Sequence, residues 1–381
     1  MHDNFLSKFI LSDSGGSPPT ALPVDGSGIA HAAHVLERGE LLAFPTETVY
    51  GLGADAENPA AIARIYAAKG RPLNHPVIVH LAPNADLAYW VSGALPSSAR
   101  ALIDAFWPGP LTLILLRAAH IPDAVSGGQS SIGLRCPAHP VAQALLCAFR
   151  GPGGKRERGQ GGVAAPSANR FGRVSPTRAQ HVYDEFGATV PILDGGACAV
   201  GIESTILDVS RGFPALLRPG GISAEQLAEV LGEMPQLPMQ LNAVPAEEEK
   251  EALPAKSGES APRVSGTLRA HYAPRIPLAL LTADEIMQAL RVRTQGQPVV
   301  VIARAPLAER CATPWAQCAE VRIILAPEEP RTYARKLYNL LRELENTDAK
   351  RILIEKLPAA AEWAALNDRL SRAAAAFDLT Q

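Results

Sequence analysis

AFPTETVYGLGADAENPAAIARIYAAKGRPLNHPVIVHL, residues 43–81, is the stretch around which the rest of the chain is read. It runs as a strand, a Gly-punctuated turn, a short helix, a Lys-Gly-Arg-Pro loop and a second strand. Residues 41–44 are the apolar opening strand, and Thr46, Glu47 and Thr48 follow it just past Pro45. Gly51 and Gly53 let backbone approach backbone or ligand closely. A helix is predicted over residues 59–68, stopping at Gly70 and projecting Lys69 from its C-terminal edge. Lys69 and Arg71 flank a turn that Pro72 stiffens, and such a loop holds phosphate oxygens at little ordering cost. The same three residues also read as a solvated surface loop. Either way both cations sit on a loop and not in the core, so their substitution is expected to spare the fold. In the strand at 76–81, His80 points opposite to Val79 and Leu81, toward packing, solvent or a ligand.

Working outward, a chain of 381 residues suits about two domains. Its 47% hydrophobic and 19% charged residues are those of a soluble globular enzyme. The net charge of −2 argues against a protein that coats nucleic acid, so any tRNA or DNA contact is local or absent. Cys136, Cys147, Cys198, Cys311 and Cys318 form no C-x-x-C pair, and the histidines include no H-E-x-x-H. Neither a zinc site nor a disulfide framework is therefore expected, but free thiols in a reducing cytoplasm. Residues 1–27 read as an N-terminal extension, because His2, Asp3 and Lys8 interrupt its apolar residues before a Ser/Gly/Pro segment. No apolar run is long enough for a bilayer, and residues 111–116 are the block a buried strand gives.

A helix is predicted over residues 28–39, with Gly39 as its stop, and helical pattern returns from Asp86 until Trp107-Pro-Gly-Pro110 breaks it. Arg135 closes the short strand that begins near Ser131, where its planar cation suits a carboxylate or a surface salt bridge. Residues 149–162, FRGPGGKRERGQGG, read as a flexible basic insertion, solvated or touching RNA. Val163 to Asn169 is a short strand entering a polar turn. Ser175 is placed to cap a helix starting near Thr177, and Asn169 to make a turn, with ligand roles open beside both. Strands at 192–196, 201–209 and 214–218 end hairpin-like, which implies a mixed sheet. A helix at 223–231 precedes a Pro/Glu/Ala/Ser-rich interdomain linker over residues 232–263. Beyond it, strands at 277–281, 298–303, 321–325 and 351–355 alternate with helices at 284–292, 328–344 and 359–377. That alternation predicts a second, smaller α/β domain over residues 276–381 with a largely parallel sheet. It carries no G-x-G-x-x-G, so no dinucleotide site is supported.

Seven motifs occur together in order: FPTETVYGLG (44–53), KGRP (69–72), SIGLRCP (131–137), APSAN (165–169), SPT (175–177), GIESTILD (201–208) and LRPG (217–220). With His271-Tyr-Ala-Pro274 and the C-terminal α/β region, the chain resembles the YrdC-like domain within the long, two-domain threonylcarbamoyl-AMP synthases. The resemblance covers nearly everything after Gly28. It implies a YrdC-like twisted mixed sheet over residues 28–231, a linker and lid over 232–275, and a smaller Rossmann-like α/β domain. The implied reaction converts L-threonine, bicarbonate and ATP into threonylcarbamoyl-AMP and pyrophosphate. The product then passes to the tRNA threonylcarbamoyl transferase machinery that makes N6-threonylcarbamoyladenosine. An RNA-binding YrdC-like module without adenylate-forming activity is the alternative.

By matching motif, the resemblance implies that Lys69 and Arg71 are catalytic and hold the nucleotide phosphates. It places His75, Ser131, Ser167, Asn169, Ser175, Arg218 and Tyr272 on ATP as well, with Tyr272 reaching over the nucleotide as part of a lid. Thr48, His80, Arg135, Ala165 and Ser204 would enclose threonine, Arg135 taking its carboxylate. Mg2+ is expected to arrive on ATP, with no metal site built by the protein. Two departures stand out: His75 occupies the place where the family commonly has Asn before the loop's second Pro, and the basic Gly-rich insertion is foreign to the pattern.

Overall fold

The computed structural model describes residues 17–237, 261–315 and 317–378. Residues 1–16 of the N-terminal extension and 238–260 of the linker lie outside the described residues. The first region carries strands β1 (Ala21–Leu22), β2 (Leu42–Phe44), β3 (Gly51–Asp55), β4 (Ile78–Leu81), β5 (Leu111–Leu116), β6 (Ser131–Arg135), β7 (Gly162–Ala164), β8 (Ile192–Leu193), β9 (Thr205–Asp208) and β10 (Ala215–Arg218). Among the described residues they form one mixed ten-stranded sheet in the order β1-β8-β2-β3-β7-β4-β6-β5-β9-β10. The expected hairpin is β9 with β10, which pair antiparallel, whereas β8 lies far from both on the other side of β2. Most core strands are buried along their whole length, as the near-continuous apolar runs require.

Helices α1 (Gly26–Glu37), α2 (Pro59–Lys69), α3 (Leu87–Trp90), α4 (Ser97–Phe106), α5 (Pro140–Ala148), α6 (Ala179–Phe186) and α7 (Ala224–Leu231) cover this sheet. Local chemistry sets the ends of α2. The Asn58 side chain accepts from the Ala60 and Ala61 amides, Pro59 occupies the first turn, and Gly70 at φ 63° stops the helix. That stop delivers Lys69 and Arg71 to one place. α6 departs from expectation: Arg178, not Ser175, precedes it, and Ser175 is fully buried elsewhere.

The basic run at 150–162 is not the free loop its composition suggests. Arg156 pairs with Glu57 at 2.8 Å and its guanidinium lies 3.7 Å from the centre of the Tyr89 ring. Gln160 accepts from the Asp86 amide and donates to the Asn84 carbonyl, and the Arg150 amide donates to Glu37. Glycine-rich composition argued for mobility, but these long-range polar contacts repay part of the ordering entropy.

The second region has a parallel sheet in the order β11-β14-β12-β13, from β11 (Leu278–Leu281), β12 (Val299–Ala303), β13 (Val321–Leu325) and β14 (Arg351–Glu355). Its helices are α8 (Ala283–Arg291), α9 (Ala305–Trp315), α10 (Pro330–Leu344) and α11 (Ala364–Ala375). α9 does not appear among the helices read from the sequence. Its Pro306 sits in the first turn, where no amide partner is needed.

The two regions share a core. Val49, Val174 and Ile202 of the first pack with Leu337, Tyr338 and Leu341 of α10. Gly201, at φ 83°, makes this approach possible: a Cβ there would stand 2.4 Å from Arg335 Cα and 2.7 Å from the Ala334 carbonyl oxygen, both in α10. Gly201→Ala is expected to lower the unfolding free energy by about 1–3 kcal/mol through overpacking, read by urea denaturation. A change below about 0.5 kcal/mol, the range of unconstrained surface sites, would contradict this packing.

Candidate active site

A small cavity opens between the C-terminal ends of α2 and β10, the β2–β3 turn and the segment Ser265–Tyr272. Each wall follows from a local feature. The β2–β3 turn presents Thr48, whose partner Thr46 donates to the Val49 carbonyl and lies 2.8 Å from Thr48 Oγ1. β4 and β6 pair in parallel with His80 opposite Arg135, so both strand ends point their polar side chains the same way.

Lys69 is buried and donates through Nζ to the carbonyls of Ser167 at 2.6 Å and Asn169 at 2.5 Å. Burial and the neighbouring Arg71 cation push its pKa well down. Arg71, also buried, donates to the His75 and Pro76 carbonyls and to Ser265 Oγ. Burial lowers its pKa to about 10, which leaves it charged at neutral pH. The expectation that both cations sit clear of the core is therefore overturned: the α2 stop and the returning 76–81 strand enclose them. Removing either leaves buried carbonyls unpaired, which costs stability as well as charge.

Arg218 donates to the Ser204 carbonyl and Oγ and, through Nη1, to the Ser265 carbonyl at 2.8 Å. Ser204 Oγ also lies 2.8 Å from Thr112 Oγ1. Arg135 donates to Thr48 Oγ1 and the Gly109 carbonyl, and its Nη2 stands 2.7 Å from Glu47 Oε1 as an ion pair without hydrogen-bond alignment. His80 is held neutral, because burial and the Arg135 cation push its pKa down to about 3, and its Nδ1 is buried without a partner. The Asn169 amide donates to the Arg170 and Arg173 carbonyls while its Oδ1 stays buried and unpartnered.

Thr48, Lys69, Arg71, His80, Arg135, Ala165, Ser167, Asn169, Ser204, Arg218 and Tyr272 all line the cavity, whereas His75, Ser131 and Ser175 do not. The His75 ring packs edge-on against Phe171, which does line it. Ser131 begins β6, and Ser175 donates at 2.6 Å to Glu203, a lining residue. Sequence reasoning passed over Glu203, His271 and Phe171. The first two stand inside motifs already quoted, while nothing local marks Phe171.

Tyr272 adopts φ 60°, the left-handed region, and is buried. The adjoining Ala273 amide donates to the Gly172 carbonyl, so the Ser265–Tyr272 segment lies across the cavity and leaves only about 40 Å³. Ligands of nucleotide size occupy pockets of roughly 300–1,000 Å³. The cavity as it stands is smaller than that.

Among the described residues no group of three His, Cys, Asp or Glu side chains converges on one point. Glu203 is the one carboxylate among the described lining residues, and Ser175, Tyr338 and Arg369 occupy it. The described lining thus does not fit a protein-built metal cage.

A family model described as telomere recombination matches residues 34–220, and one described as the C-terminal domain of threonylcarbamoyl-AMP synthase matches residues 222–375. The threonylcarbamoyl-AMP synthase of Bacillus subtilis is 36% identical over 91% of this chain and 92% of its own length. That of Pyrococcus abyssi is 33% identical over 90% of this chain and 92% of its own. The crystal structure of P. abyssi Sua5 complexed with L-threonine superposes with a TM-score of 0.76 at 30% identity, covering 94% of this chain and 98% of that one. With both regions matched, and in the same order, this chain belongs to the threonylcarbamoyl-AMP synthase family.

Proposed function

We propose that this protein is an L-threonylcarbamoyladenylate synthase, a nucleotidyltransferase using L-threonine, bicarbonate and ATP. The observation that carries the reading is a cavity with the buried side chains of Lys69, Arg71, Arg135 and Arg218 on its wall and, among the described lining residues, one carboxylate, itself paired with Arg369. Such a wall favours polyanions and stabilises charge that develops on them. A related structure carrying L-threonine supports the second substrate.

In this reading the threonine amine and bicarbonate condense to a carbamate with release of water. The carbamate oxygen attacks the α-phosphorus of ATP, the bond to the β-phosphate oxygen breaks, and pyrophosphate leaves. Lys69, Arg71 and Arg218 hold the phosphates, and an arriving phosphate favours the ammonium form that burial disfavours at Lys69. Ser167 and Asn169 lie beside them. Arg135, Thr48 and Ser204 take threonine's polar groups against Ala165, and threonine's carboxylate shares Arg135 with Glu47. Neutral His80 offers its unpartnered Nδ1 as an acceptor for threonine's ammonium or hydroxyl. His75, Ser131 and Ser175 then act from behind the wall. Tyr272 closes over the nucleotide.

Mg2+ enters as part of the ATP complex, carried by phosphate oxygens and water. The activated product serves the transferase that modifies tRNA. No described helix is long and apolar enough to cross a membrane, and the five cysteines are free, in keeping with a reducing cytoplasm. The RNA-binding reading is weaker, because Arg156 of the basic run spends its charge on Glu57 and Tyr89.

Mass spectrometry of a mixture containing ATP, threonine and labelled bicarbonate should show a labelled adenylate and pyrophosphate, each dependent on all three substrates. Pyrophosphate without label in the adenylate would overturn the assignment. Lys69→Met, which keeps the aliphatic stem, is expected to slow product formation by about 100-fold or more, the scale of one lost electrostatic donor. A folded Lys69→Met enzyme at the wild-type rate would remove Lys69 from the phosphate site.

A further inference from the structure

Glu203 and Tyr272 both line the cavity but come from different parts of the chain, the β8–β9 connection and the lid. The same two side chains of the C-terminal domain hold them. Arg369 of α11 donates through Nε to Glu203 Oε2 at 2.8 Å, and its guanidinium lies 5.2 Å from the centre of the Tyr272 ring. Tyr338 of α10 donates to the same Glu203 oxygen at 2.9 Å and stacks on Tyr272, with ring centres 5.8 Å apart at 24°. Arg369 itself is fully enclosed, and its remaining donors meet the Pro219 carbonyl and Asp368. Pro219 follows Arg218 directly. One guanidinium therefore touches the backbone beside a phosphate-wall arginine, the cavity's carboxylate and the lid's ring.

We infer that Arg369 is a positioning residue of the active site, through which the C-terminal domain aligns the Glu203–Arg218 wall with the closed lid. Three physical points support this. First, Glu203 stays ionised: Arg369, Arg218 and the Ser175 hydroxyl outweigh burial and hold its pKa near 2. Its charge fixes the direction of every donor around it, including Ser175. Second, a buried ion pair is a poor source of stability compared with well-packed apolar groups, so orientation is the return on burying this one. Third, the neighbouring residues of α11 continue the contact with the lid. Asp368 accepts from Arg372, and Arg372 donates to the lid carbonyls of Thr267 at 2.7 Å and Leu268 at 2.5 Å. The lid and the wall are thus read by one helix, and a lid that closes with Arg369 absent closes on a wall whose carboxylate has lost its alignment.

This inference rests on the cavity being the site of adenylate formation, and the test separates the two. Wild-type enzyme is assayed first; absence of the labelled adenylate there counts against the function and not against Arg369. Given an active wild type, Arg369→Met should lower kcat/KM for ATP by about 10- to 100-fold, the scale of an ångström-level misplacement. Threonine affinity, measured by calorimetry without ATP, should change by less than about threefold, because the hydrogen bonds of Arg369 go to Glu203, Asp368 and Pro219 and not to the threonine-side residues. Arg369→Lys should recover part of the loss. Breaking a buried pair also destabilises, so the double variant Glu203→Gln/Arg369→Met is measured alongside, since it removes both members of that pair. If Arg369 positions the site, the double variant regains thermal stability while activity stays low. Activity that returns with stability, wild-type kcat/KM in folded Arg369→Met, or equal losses toward ATP and threonine would each overturn the inference. Tyr338→Phe keeps the stacked ring and removes one hydrogen bond. It gives a milder loss in the same direction if the inference holds, and an unchanged kcat/KM for ATP counts against it.

Discussion

Four cationic side chains, Lys69, Arg71, Arg135 and Arg218, are each at most 6% exposed around one small cavity, and the structure depends on how that burial is tolerated. Most of their donors end on backbone carbonyls: Ser167, Asn169, His75, Pro76, Gly109, Ser204 and Ser265. Carbonyls satisfy direction but carry no net charge. Among the described residues Arg135 is the one of the four with an ion pair, to Glu47, while the hydrogen bonds of Glu203 go to Arg369, Tyr338 and Ser175. Burying charge without a counter-charge is costly, and the lowered pKa values of Lys69, Arg71 and Arg218 express that cost. The site is in this sense poised for anions.

This constraint explains the topology. The carbonyls come from segments distant in sequence, and the mixed strand order brings them to one edge of the cavity: β7 lies between β3 and β4, and β9 lies beside β5. It also explains the second domain. A lid alone would be a short segment without a core. Here the segment is held by Arg372 at Thr267 and Leu268, and its Tyr272 is packed among Tyr338 and other residues of the shared core. In the proposed reaction, closing the lid would lower the local dielectric around the cations and strengthen their pull on phosphate oxygens.

How much of this the sequence discloses depends on the range of each signal. Local signals were legible: the Gly70 stop that ends α2, the β9–β10 hairpin, and the alternation that builds the second sheet. The motifs also assembled most of the cavity lining, Lys69, Arg135, Ser167 and Arg218 among it. Long-range partners were not legible. Ser175 looks like a helix cap because its sequence neighbours say so, yet its partner Glu203 is 28 residues away. Composition called the 150–162 run flexible because it cannot report that Glu57 and Tyr89 wait for Arg156. The burial of Lys69 and Arg71 has the same origin, since the carbonyl cage of Lys69 comes from a turn about a hundred residues on.

The claim that these buried cations form an anion site is tested most directly by thermal unfolding of the full chain against inorganic pyrophosphate. Mass action predicts a midpoint that rises with ligand, equivalent to about 2.7 kcal/mol at a hundredfold excess over the dissociation constant, and that falls back as salt is added. A midpoint indifferent to millimolar pyrophosphate at low salt would contradict the account.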